Sequence, residues 1–129
     1  MATQFSEVIE SFHSSFMDKT EIPDSLELMW LKKAIAEFST EISPLEYYEE
    51  LSEFSEILDQ YVIDTLATMM KVMYLQRHYS KVNKIASIVG KDLSVNSGMS
   101  LSKYAEDELT KTKAELEERL YNLKPTAYN

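Results

Sequence analysis

The sequence predicts an all-α fold: a small helical bundle of about four helices around one long central helix, with an extended loop or arm. Three observations predict it. Only two glycines and three prolines occur in 129 residues, whereas all-β folds spend many of both on turns. Apolar residues recur at steps of three and four over most of the chain. Residues 57–75, ILDQYVIDTLATMMKVMYL, are apolar nearly all round a helix, with charge only at Asp59, Asp64 and Lys71. Such a helix belongs inside a bundle or an assembly. A membrane span wants about 20 almost charge-free residues, and three ionised groups argue against one.

The length fits a single domain over residues 1–129: an N-terminal helix within 1–20, a bundle over 22–123 and a tail at 124–129. A hydrophobic fraction of 44% suits a folded chain. Cysteine is absent, which excludes disulfides and thiolate chemistry and fits a reducing compartment. The opening MATQFSEVIE has neither the basic nor the long apolar region of a signal peptide.

The elements follow in order. Phe5, Val8, Ile9, Phe12 and Phe16 predict a helix over 4–17, capped by Thr3 or Ser6. Asp24, with Glu27 three residues on, predicts the cap of a second helix. Its stripe is Leu28, Leu31, Ile35, Phe38 and Ile42, widened by Trp30 and Ala34. Residues 39–56 carry two signals. Ser43-Pro44 reads as a helix start, while Leu45, Tyr47 and Tyr48 suit an extended arm. The expectation is a loop with one turn of helix. The central helix should run over about 55–88 and end at Gly90. Residues 91–100 read as a loop, extended at 92–95. The last helix should start near Ser100, with a seam of Ala105, Leu109, Thr112, Leu116, Leu120 and Leu123, and stop at Pro125.

Chemistry is sparsely signalled. His13 and His78, the only histidines, sit in helices without a carboxylate or serine at a spacing that builds a base–nucleophile pair. Two glycines cannot make a phosphate loop, and no zinc or calcium spacing is present. Asp59, Asp64 and nearby glutamates lack the Glu-x-x-His motif of a di-iron bundle. No enzyme, cofactor or metal site is therefore expected.

Net charge is −9 and segregated. Residues 1–64 hold 15 acids and 3 bases, and residues 65–91 hold five bases and no acid. Those bases are Lys71, Arg77, Lys81, Lys84 and Lys91, interleaved with Tyr74 and Tyr79. The acidic remainder repels phosphate, so an intersubunit salt-bridge surface suits this patch better than nucleic-acid binding. A helix apolar on all faces is also hard to cover with three others, which predicts an oligomer interface.

Three segments carry a resemblance. IPDSLELMWLKKAIAEFSTEI, LDQYVIDTLATMMKVMYLQRHYSKVNKI and the closing heptad-like helix with its Pro- and Tyr-containing tail are similar to the helices of head–tail connector (adaptor, head-completion) proteins of tailed bacteriophages. The likeness covers about residue 22 to the C-terminus as a pattern of helix types and lengths. It implies a structural virion protein at the neck, made in the host cytoplasm. Such proteins form a homo-oligomeric ring, commonly a dodecamer, under the portal protein, and bind the next neck or tail protein. Genomic DNA passes through the channel without sequence-specific binding, and no membrane is involved. Charge and exposure then suggest interface residues: Arg77, Lys81 and Lys84 on the basic side, Glu49, Glu50 and Glu53 on the acidic side, and Tyr128 as a docking residue in the tail. The alternative is an acidic helical regulatory module that binds a basic protein partner.

Overall fold

The computed structural model describes residues 2–15, 22–89 and 95–124, with side chains excepted at 82–89 and 95–102. The order is α1 (Phe5–Ser14), α2 (Asp24–Glu41), β1 (Tyr47–Tyr48), β2 (Glu53–Phe54), α3 (Gln60–Val89) and α4 (Val95–Leu123). The fold is all-α apart from the small antiparallel hairpin, and α3 is packed by each of the other three helices. α4 returns antiparallel along α3: Asn122 meets Tyr61 at one end, and Glu108 meets Lys71 further along.

α1 starts at Gln4, not at Thr3 or Ser6. The Gln4 N–H donates to Glu7 Oε2 at 2.7 Å, and the Gln4 side chain accepts from the Glu7 backbone. That reciprocal box satisfies two groups the first turn leaves open. Thr3 is buried and tied elsewhere, as shown below. Phe5, Val8 and Phe12 form the buried face, and Ser15 closes the helix by donating its N–H to Phe12 O at 3.2 Å. The expected extension to residue 17 falls outside the described residues.

In α2 the expected cap is displaced by one residue. Pro23 occupies the N-cap position, and its carbonyl accepts from the Glu27 N–H at 3.1 Å. Asp24 is thus the first helical residue, and its side chain makes no cap bond. Glu27 does not reach back. It is buried, drawn across to His13 of α1. The stripe itself holds: Trp30, Leu31, Ala34, Ile35 and Phe38 are buried, with Leu28 and Ile42 half-buried beside them.

α3 begins at Gln60 and not at 55, because the preceding backbone is already committed. Glu56 O accepts from Thr3 N at 3.2 Å, and Leu58 N donates to Thr3 Oγ1 at 2.7 Å. From Gln60 onward the helix is enclosed by its own chain. Ile63, Leu66, Ala67, Met69, Met70, Val72 and Leu75 are buried, with Leu66 and Met70 fully so. Thr65 and Thr68 join them by donating their hydroxyls back to the Tyr61 and Asp64 carbonyls at 2.7 and 2.8 Å. Each large apolar side chain so buried contributes about 1.5–3 kcal/mol. Surplus apolar surface on the central helix was the physical reason to expect an oligomer. Over residues 60–81 it is absent: one α4 seam, one α2 stripe and one α1 face suffice to cover the rod.

α4 starts at Val95, about one and a half turns before Ser100, so Val95 is helical and not extended. Gly98 reads as a breaker in sequence yet is carried inside the helix. The remainder of the expected loop, with Gly90, lies outside the described residues. The seam is as expected: Ala105, Leu109, Thr112, Leu116 and Leu120 are buried and Leu123 is half-buried.

Candidate functional site

Residues 39–41 complete α2, and residues 42–56 form neither a helical turn nor a plain loop. Tyr47 pairs with Phe54 and Tyr48 with Glu53, across a four-residue turn. Leu51 N donates to Tyr48 O and Ser52 N to Glu49 O, each at 3.2 Å. Ser52 takes a left-handed conformation, φ 52°, to bring the chain back. Pro44 begins no helix. The strand-forming aromatics Tyr47, Tyr48 and Phe54, set apart by one turn, were the signal for a hairpin, hidden among glutamates that strands disfavour.

The N-terminal arm fastens the β2 side of the hairpin, and α2 holds the β1 side through the Leu45 N–H donated to Ser39 Oγ at 3.0 Å and through Lys32 on Glu49. Phe54 N donates to Thr3 O at 2.8 Å, Phe5 N donates to Ser52 O at 2.9 Å, and Gln4 bridges Glu53. The N-terminal arm therefore lies along β2 as a third, irregular strand. Phe54 is fully buried, with the Phe5 ring edge-on at 5.3 Å, and Tyr47 tilts against Phe5 at 5.5 Å. Outside this anchor the arm is exposed. Tyr48, Leu51 and Ile57 are 54%, 65% and 70% accessible, which is uncommon for three large apolar side chains in one short stretch. Glu46, Glu49, Glu50 and Glu56 surround them, and no Lys, Arg or His occurs from residue 34 to 70.

The expected interface residues fare differently. Glu49 is engaged within its own chain by Lys32 of α2, and that hydrogen bond holds the lysine ammonium above its ordinary range. Glu53 is half-buried in the ladder. Glu50 is exposed and pairs with no described residue. Arg77 and Lys81 are exposed on α3 and likewise pair with no described residue, whereas Lys71 faces Glu108 at 3.9 Å. The Lys84 side chain and Tyr128 lie outside what the structure describes. Arg77 is seventeen residues beyond the start of α3, about 25 Å along its axis. Because the hairpin leads directly into that start, Glu50 and Arg77 sit toward opposite ends and cannot meet within one chain.

Two features were not legible beforehand. His13 Nε2 lies 2.9 Å from Glu27 Oε1, and the Glu27 side chain is only 6% exposed. No described serine or other nucleophile is hydrogen-bonded to this pair, and the contact fastens α1 to α2. The second is a groove of about 900 Å³ between α2 and α4, floored by Met69, Val72 and Met73 of α3. On its α2 wall, partial burial and then the neighbouring Glu41 push the Glu37 carboxyl above the usual carboxylate range.

Comparison with known protein families, with curated proteins and with solved structures finds no match to this chain. Among the described residues no group of three or more His, Cys, Asp or Glu is placed to hold a metal ion. No helix among them is long and apolar enough to cross a membrane.

Proposed function

We propose that the chain is a structural docking protein, acting as a head–tail connector in a virion: a ring under the portal that extends the DNA channel and joins capsid to tail. Support comes first from the resemblance of its helical segments to that family. The single structural observation behind it is the end-to-end separation of charge. An exposed acidic hairpin stands before the first turn of α3, and Arg77 and Lys81, which pair with no described residue, lie about 25 and about 32 Å further along it. Surfaces of opposite sign at opposite ends suit a heterologous, head-to-tail contact, the type that closes a ring. Burial of α3 over residues 60–81 contributes nothing to this role, because its own chain already covers that stretch.

The test is binding to a purified portal ring, followed by co-sedimentation and mass measurement. A connector forms a stoichiometric complex of many copies per portal. Glu50→Lys or Arg77→Glu should each weaken assembly, and the two together should restore part of it. A protein that stays free of portal and capsid at all concentrations is not a connector.

A second reading is favoured by the enclosed core: an acidic helical module that binds a basic protein one to one. The exposed Tyr48, Leu51 and Ile57 amid glutamates suit it equally. A pull-down that yields a single basic partner in a one-to-one complex would select it.

A further inference from the structure

We propose that the open edge of β1 takes up an extended, lysine- or arginine-bearing segment of a different protein as an added strand. The backbone pattern points to this edge. Ser55 N donates to Glu46 O at 2.9 Å, while Phe54 N turns the other way, to Thr3 O at 2.8 Å. Tyr47 and Phe54 are therefore a non-hydrogen-bonded pair, and in such a pair both residues aim their N–H and C=O away from each other. Phe54 spends its N–H on the N-terminal arm. Tyr47 sends its own to the opposite side, where no described residue receives them. The Tyr47 N–H and C=O are the open groups from which strand addition would start, since the Leu45 N–H already donates to Ser39 Oγ at 3.0 Å and the Glu49 carbonyl accepts from Ser52 N at 3.2 Å.

The side chains say what the added strand carries. Glu46 and Glu50 flank this edge, exposed and without a described cationic partner, and Glu49 holds only Lys32. An incoming strand with basic residues on alternate positions would set its cations on the face that Glu46 shares with Tyr48, and its intervening side chains on the opposite face, beside Tyr47. Among its described residues a second copy of this chain offers no such segment. Every described lysine and arginine except Lys124 lies on a helix, and a helix cannot supply a strand. Nothing here depends on the connector role, since any basic extended segment meets the same edge.

The experiment uses the full chain, isotope-labelled for NMR, and a synthetic peptide alternating Lys with Val and Thr. The expected result is saturable binding that weakens with salt, with amide exchange at Tyr47 slowed about tenfold or more. The same peptide methylated on alternate backbone nitrogens should lose that protection, because it keeps the charge but not the ladder. Glu46→Lys combined with Glu50→Lys should weaken binding at least tenfold while the helical circular dichroism stays unchanged. Unaltered exchange at Tyr47 under saturating peptide would overturn the proposal. So would equal binding of the methylated peptide, or protection that rises with protein concentration alone. Failure to bind a portal ring, with Tyr47 still protected by peptide, would remove the connector reading and leave this one standing.

Discussion

The first half of α3 and the hairpin before it are both rich in large apolar side chains, yet the chain treats them in opposite ways. Leu66 and Met70 are sealed under α1, α2 and α4. Tyr48, Leu51 and Ile57, a few residues upstream, stand in solvent among glutamates. Apolar content alone therefore does not mark an interaction surface. Three helices sheathe α3 over residues 60–81, whereas a four-residue turn has no second layer to lie against. Of these two regions, the one that leaves large apolar side chains in solvent is the small acidic one.

The contrast can be broken most severely in the core. Leu66→Ala should cost about 2–5 kcal/mol, read from denaturant midpoints at unchanged m-value. A loss below about 1 kcal/mol would mean that α3 is less enclosed than its burial indicates. His13→Ala comes next. It leaves the buried Glu27 carboxylate without its described partner, at a cost of about 1–3 kcal/mol, and His13→Gln should recover part of it. On the hairpin, Leu51→Ser should change stability by no more than about 0.5 kcal/mol in the same assay, since the side chain is already wet. A larger loss would show that the turn packs against something.

The smallest effect sharpens the electrostatics. Glu37→Gln should raise stability by a few tenths of a kcal/mol at neutral pH, by removing a like-charge pair one helical turn from Glu41. The sign follows from a folded-state carboxyl that titrates above its unfolded value. Its contribution is most favourable below the unfolded range and is lost as pH rises through the folded one. The advantage of glutamine should therefore shrink on acidification and vanish near roughly pH 3, where the glutamate is protonated in both states.

Periodic parts of the fold were legible because burial imposes the period. The stripe from Leu31 to Phe38 and the seam from Ala105 to Leu120 occupy the places their spacing assigns. Boundaries were harder, since they depend on tertiary partners. Ser55 is not helical because Thr3 claims the backbone that follows it, and Gly98 is tolerated inside α4. His13 and Glu27 are fourteen residues apart on different helices, so no local pattern announces them. Of the candidate site, the acidic character of 46–56 was visible, but its hairpin geometry was masked by a serine-proline pair that imitates a helix start.

Thr3 grips Leu58 across fifty-five residues of chain, and its backbone zips onto Phe54 and Glu56. During vectorial synthesis the opening segment must wait, unpaired, until the hairpin has left the ribosome. Docking of the arm then closes a loop of fifty-five residues, second among the described hydrogen bonds only to the Tyr61–Asn122 closure, a slow event compared with coiling of any single helix. The acidic finger should thus take its final shape late, after most of the surrounding spiral framework has already set.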